Sequence, residues 1–380
     1  MISKIELKNF KGHSYTSIEL GNRNITVLVG KNGTGKTSIL QSLHYFSMLT
    51  SKNCDVIFHD GTESSPENFV KRGTSESVIS ISGNRGLQNW TANIKFSKSA
   101  SSESGWKPAL SYKINNESLQ TLTGNWKSSF STADDFLKKA IQHTVYLKMV
   151  AEKLAEPSVP KDVSPRLEYD GYGLASAIAN LKNANPENFE ILENSVKNLL
   201  PFVKRIRIQK KEIERLEQRI ITVDGKNVSY DSPQKLFADE LVLDLQGAES
   251  LPAHALSEGT LLIIGLLTVL VSPSRPNLIL LDDIEQGLHP KAQRDLIKLI
   301  INLTKKPEYQ YLQIVLTTHS PYIIDEVEPS DIWLLNDGPN GKIDICPLNK
   351  YPDAEKALEV LSAGELWSSI GEDWVGKDKP

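Results

Sequence analysis

The sequence predicts an α/β fold built on a largely parallel sheet, with an antiparallel β portion and a helical insertion. Three observations carry this. Apolar runs of strand length alternate with amphipathic runs of helix length at both ends of the chain, the pattern of a sheet covered on both faces. Residues 51–130 are instead rich in Ser, Gly and Asn, with short alternating pieces that suit antiparallel strands joined by turns. Residues 131–220 change to helical spacing.

Size and composition bound the reading. The 380 residues suffice for one large domain or two ordinary ones, and 39% apolar with 24% charged residues is the balance of a soluble globular protein. A net charge of -4 supplies no global basic field, so any nucleic-acid contact would be local. Cys54 and Cys346 form no metal-ligand spacing. "MISKIELKNF" is too polar for a secretory signal, so a cytoplasmic location is expected. The most apolar window, "LLIIGLLTVLV" at 261–271, is well short of the roughly 18–20 residues of a membrane span, so no membrane attachment is expected.

The first 50 residues read as strand, turn, strand, glycine-rich loop and helix: "KIELKNF", "YTSIEL", "NITVLVG", then "KNGTGKTSILQSLHYFSML". Alternation marks the first two strands, and Ile39, Leu43 and Phe46 fall on helical spacing. "ESVISIS", "TANIKFS" and "LSYKIN" are the antiparallel pieces. The strongest amphipathic stretch is "PENFEILENSVKNLLPFVKRIRIQKKEIERLEQRI", with seven basic and three acidic residues between Lys204 and Arg219. Two readings stay open for it: a solvated helix or strand edge laced with i,i+4 pairs, or a surface for nucleic acid or a partner chain. After a turn at "VDGKN" come a polar loop with "LSEGT", an apolar helix, the strand "NLILLDD", the helix "PKAQRDLIKLIINLT", and the strands "QIVLTTHS" and "DIWLLND". These divide the chain into a first lobe at 1–150, a mainly helical insertion or lid at 151–239, a second lobe at 240–345 and a C-terminal helical tail at 346–380.

The motif that names the chemistry of the first lobe is "GKNGTGKT", formed by Gly30, Lys31, Asn32, Gly33, Thr34, Gly35, Lys36 and Thr37, with Ser38 following. It matches G-x-x-x-x-G-K-[ST] and lies between an apolar strand and a helix, the context a P-loop NTPase requires. Glycines let successive N–H groups turn inward, Lys36 would meet the β and γ phosphates of ATP, and Thr37 would ligate Mg2+. The positive end of the helix adds to the same site. Downstream, Ser257, Glu258 and Gly259 form a polar turn before an apolar helix that Ser257 and Thr260 are able to cap. Asp282, Asp283 and Glu285 follow an apolar strand.

"GKNGTGKT", "LSEGT", "LILLDDIE" and "TTHS" stand in the order of phosphate loop, signature, Walker B strand and switch histidine, and so resemble the heads of ABC-type ATPases. "IELKNFKGHSYTSIEL", "GLHP" and "THSPYIID" are similar to the RecF, SMC and OLD branch, and the chain also resembles bacterial AAA family ATPases that serve as antiphage-defence subunits. The similarity covers 1–50 and 240–345, and the middle only loosely. It implies that Asp282 supports Mg2+, that Asp283 takes the place of the water-activating base, and that Glu285 helps position water or metal and is the alternative base. It implies that His319 senses the γ-phosphate and orients water. It implies also that Ser257, Glu258 and Gly259 cover a nucleotide held by another subunit, in a head-to-tail homodimer or higher homo-oligomer. Gln142 in "AIQHTVYL" is the candidate Q-loop residue. Two departures stand out: Asp283 where such heads usually carry glutamate, and Thr260 where transporters often carry glutamine. Phosphoryl transfer is sensitive to positioning, so slow hydrolysis is expected.

The function expected is therefore an ATPase that regulates a separately encoded effector, a nuclease in antiphage defence. The alternatives are a RecF-like DNA repair ATPase that binds DNA through the 204–219 segment and, less favoured, the ATP-binding subunit of an importer.

Overall fold

A computed structural model describes residues 1–21, 23–51, 68–99, 106–115, 117–123, 143–160, 162–223, 226–273, 276–338 and 342–377. Along the chain run β1 (Ile2–Phe10), β2 (His13–Glu19), β3 (Ile25–Gly30), α1 (Lys36–Ser51), β4 (Glu76–Arg85), β5 (Gln88–Lys98), β6 (Trp106–Ile114), β7 (Gln120–Thr123) and β8 (Thr144–Leu147). Then come α2 (Ala151–Ala155), α3 (Leu174–Ala184), α4 (Pro186–Leu199), β9 (Val203–Val223), β10 (Lys226–Leu245), β11 (Ala248–Pro252) and α5 (Glu258–Leu270). The remainder is β12 (Leu278–Leu281), α6 (Pro290–Thr304), β13 (Gln313–Thr317), α7 (Pro321–Ile324), β14 (Ile332–Asp337), β15 (Ile343–Pro347), α8 (Ala354–Leu358) and α9 (Ala363–Ile370).

Two compact units result: residues 1–146, 276–286 and 293–380 form the first, and 147–275 with 287–292 the second. The first unit contains two sheets. One is antiparallel, in the order β2-β1-β4-β5-β6-β7. The other runs β15-β14-β3-β13-β12-β8, with β14, β3, β13 and β12 parallel to one another. Every residue of β3, β12 and β13 is buried, which is why these strands are apolar runs rather than alternating ones. In β1 alternation returns, with Ile2, Ile5, Leu7 and Phe10 turned into a core shared with Ile39, Leu43 and Phe46 of α1.

The second unit carries α2 to α5 and the sheet β11-β10-β9. α5 is buried from Thr260 to Leu270, as an all-apolar helix must be, and Ser257 caps it by accepting from the Thr260 N–H. No helix among the described residues is long and apolar enough to cross a membrane.

From Val203 onward the helical spacing expected over 131–220 gives way to strand, the form left open beside the helix for this stretch. This stretch is β9, paired antiparallel with β10 from Val203 opposite Leu245 to Val223 opposite Lys226. Acid and base spaced four apart mimic a helix face, but the favourable charge partners are across the hairpin. Lys210 pairs with Asp239 at 2.8 Å, Lys211 with Glu240 at 2.6 Å and Arg207 with Asp244 at 2.7 Å. Asp239 and Glu240 are buried, and such carboxylates demand a cation. The expected mainly helical insertion at 151–239 is thus helical only as far as Leu199, and β10 passes through the expected division at 239/240.

Candidate functional site

The first unit builds its site where β3 ends and α1 begins. Gly33 and Gly35 take positive φ of 88° and 87°, which curls the loop and frees its N–H groups. Gly35 has a second reason to lack a side chain: a Cβ there would overlap the imidazole of His13. His13, at the start of β2, is fully buried. The Gly35 carbonyl is only an acceptor, so His13 Nε2 donates to it at 3.2 Å, and Nδ1 accepts from the Thr16 hydroxyl at 2.8 Å. Burial pushes the His13 pKa down from 6.5 to about 4, so the ring is neutral and can make both bonds. Sequence reasoning passed over His13; its signal was a lone histidine three residues beyond "NF".

Lys36 is buried, and its ammonium donates to the carbonyls of Gly30 at 2.7 Å and Lys31 at 3.1 Å. Burial lowers its pKa, opposed by the charges of Asp283, Asp282, Glu372 and Glu285. Thr37 Oγ1 lies 3.1 Å from both carboxylate oxygens of Asp282. Asp282 is itself buried and also accepts from Thr317 Oγ1 at 2.7 Å and, more loosely, from the Tyr146 hydroxyl at 3.4 Å. One buried carboxylate beside a threonine hydroxyl is a hard-oxygen pair of the kind that holds Mg2+ together with phosphates.

The three acids have different surroundings. Asp283 sits at φ 53°, in the left-handed region, and its N–H donates to Thr317 Oγ1 at 2.8 Å. Glu285 has both carboxylate oxygens engaged: Oε2 accepts from Thr318 Oγ1 at 2.8 Å and Oε1 from the His319 N–H at 2.6 Å. It therefore ties the end of the Walker B segment to the segment bearing the exposed His319. Gln293 and Ser320, hydrogen-bonded to one another, continue this network, and Ser320 caps α7. Phosphate loop, Asp282, Asp283, Glu285 and His319 thus all belong to one compact unit.

This arrangement can be compared with known proteins. Residues 25–325 match the family described as "AAA domain, putative AbiEii toxin, Type IV TA system". The chain belongs to this family. Within it the likeness to ABC-type heads of the RecF, SMC and OLD type stands. The chain is 22% identical over 393 residues to "Retron Vc95 probable ATPase" of Vibrio cholerae, covering 88% of this chain and 73% of that protein. It is equally 22% identical over 402 residues to "Retron Ec83 probable ATPase" of Escherichia coli, covering 89% and 72%. In fold it is similar to the SMC head solved bound to the C-winged-helix domain of ScpA, with a TM-score of 0.54 and 16% identity over 94% of this chain and 99% of that one. That is a P-loop NTPase fold.

The placement of the other residues singled out in this AAA-domain chain is as follows. Ser257, Glu258 and Gly259 belong to the second unit, at the start of α5, where Ser257 and Glu258 are exposed. Gln142 lies outside the described residues. Lys31, the first variable position of the loop, makes an exposed ion pair with Asp373 at 2.6 Å, so the segment after α9 reaches the phosphate loop. Sequence reasoning also gave no role to Tyr146, whose signal is its place in a strand beside β12, or to Thr317, which opens the "TTHS" motif but was not singled out within it.

Proposed function

We propose that this chain is an ATPase head whose nucleotide-driven association controls a separately encoded effector. ATP hydrolysis is its enzymatic activity. The observation that supports the site is the convergence of Thr37 from the phosphate loop and Thr317 from β13 on the buried Asp282 carboxylate. Mg2+, when bound by Thr37 and Asp282 with the phosphates, would neutralise charge that develops during phosphoryl transfer.

The geometry supports the following roles. Lys36 moves from its two loop carbonyls to the phosphates, Thr37 and Asp282 hold the metal shell, and Asp283 takes the proton of the attacking water. Glu285 is the fastener of the switch, because both its oxygens accept from Thr318 and His319, and Asp283, the residue directly after Asp282, is read as the base. His319, held through its backbone and exposed at its ring, orients water or the γ-phosphate.

The exposed start of α5, with Ser257, Glu258 and Gly259, supports a head-to-tail pair in which this turn closes the nucleotide site of another copy. The relatives named as retron ATPases support antiphage defence as the setting, and the partner proposed with it is a separately encoded effector of nuclease type. Direct DNA binding through 204–219 is weakened by the internal pairing of Arg207, Lys210 and Lys211.

Lys36→Ala tests the reading. It should abolish ATP binding, phosphate release and ATP-dependent dimerisation measured by light scattering. Unchanged phosphate release would refute the site, and a wild-type protein that stays monomeric under saturating ATP would refute the association.

A further inference from the structure

We infer that Thr317 is a positioning residue for hydrolysis: its buried hydroxyl fixes the backbone turn at Asp283 and so aims the water-activating carboxylate. The inference rests on the reading of Asp283 as the base.

β12 and β13 run parallel with Leu281 opposite Leu316, which brings Thr317 beside the first acid after the strand. A hydroxyl has one proton to give and lone pairs to receive. Thr317 gives its proton to Asp282 Oδ1 at 2.7 Å and receives the Asp283 N–H at 2.8 Å. Its main-chain carbonyl also accepts from the Ile284 N–H at 3.4 Å. Two consecutive N–H groups of the turn therefore end on this one residue, whose side chain is fully buried with no competing water.

The turn so held is uncommon. Asp283 has φ 53°, in the left-handed region that few non-glycine residues occupy, aspartate more readily than most. Removing the hydroxyl releases the Asp283 N–H and lets the turn relax, which would swing the carboxylate away from the water it activates. Thr317→Val does this with little change of shape, and valine suits a buried strand. Thr317→Ser keeps the hydroxyl.

Phosphate release, binding of a fluorescent ATP analogue and thermal melting are measured for Thr317→Val, Thr317→Ser, Asp283→Asn and the double variant Thr317→Val with Asp283→Asn. The expected result is a fall in kcat of about 10- to 100-fold in Thr317→Val, with KM for ATP and analogue affinity changed by less than about threefold. Thr317→Ser should recover most of the rate, and Thr317→Val should cost nothing further once Asp283 is Asn. An unchanged kcat in Thr317→Val overturns the proposal, and so does a loss that multiplies with that of Asp283→Asn. Recovery of Thr317→Val by raised Mg2+ also overturns it, since the hydroxyl would then act through Asp282. Full turnover by Asp283→Asn would instead remove the base reading on which the proposal stands.

Discussion

Glu285 separates two chemistries in a way that can be measured. Replacing it with alanine removes the acceptor for Thr318 Oγ1 and for the His319 N–H. The Thr318 side chain is fully buried and finds no water, whereas the exposed His319 amide does. A hydrogen bond to an ionised group contributes about 1.5–3 kcal/mol, so full loss at Thr318 and partial loss at His319 gives roughly 2–4 kcal/mol of fastening removed from the switch. Every 1.36 kcal/mol is tenfold, so kcat should fall roughly 30- to 900-fold, with KM for ATP little changed. Glu285→Gln is the discriminating variant. Its carbonyl oxygen still accepts one of the two donors, so a fastener is partly rescued, while an amide cannot take a proton and a base is not rescued at all. Steady-state phosphate release at saturating ATP measures the ratio. Glutamine as inactive as alanine, together with an active Asp283→Asn, would refute the fastening role and make Glu285 the base.

Other outcomes follow from the same contacts. Gly35→Ala should abolish nucleotide binding and lower the melting temperature, because a φ of 87° costs an L-residue about 1–2 kcal/mol and the new methyl displaces His13; wild-type binding would contradict this. His13 titrates near 4 when folded against 6.5 when free, so on acidification the unfolded chain takes up this proton first. Its contribution is complete above pH 6.5 and is lost towards pH 4, amounting to roughly 3 kcal/mol, and the melting temperature should fall more steeply over that range than in His13→Gln. Charge reversal at Lys204, Arg205 and Arg207 should leave DNA retention on a filter at its low-salt background, and salt-dependent binding lost in that variant would favour direct DNA contact.

Much of the site was legible because its chemistry is local. The phosphate loop needs its glycines, lysine and threonine within eight positions, and the helix "PKAQRDLIKLIINLT" shows its buried face in Leu296, Ile297, Ile300 and Leu303 at helical intervals. The hairpin was not legible for the opposite reason. Charges on β9 are satisfied by Asp239, Glu240 and Asp244, far along the chain, while the i,i+4 spacing within "KKEIERLEQR" imitates a helix. "RIRI" did alternate with the strand period, but four residues are too few to outweigh the longer pattern. His13, Tyr146 and Thr317 escaped because each acts on a group 22, 136 or 34 residues distant; only Thr317 stands inside a recognised motif, and there the histidine drew the reading.

The left-handed backbone at Asp283 also limits which acid that position can carry. Aspartate and asparagine enter this region several times more readily than longer side chains do. An Asp283→Glu change, which would restore the residue usual in such heads, must therefore either bear the strain or flatten the turn, and flattening breaks the register with Thr317. On the reading of Asp283 as the base, the missing methylene belongs to the turn: main chain and carboxylate are matched to one another, and a change that alters only one of them should lower turnover even when it lengthens the reach of the acid.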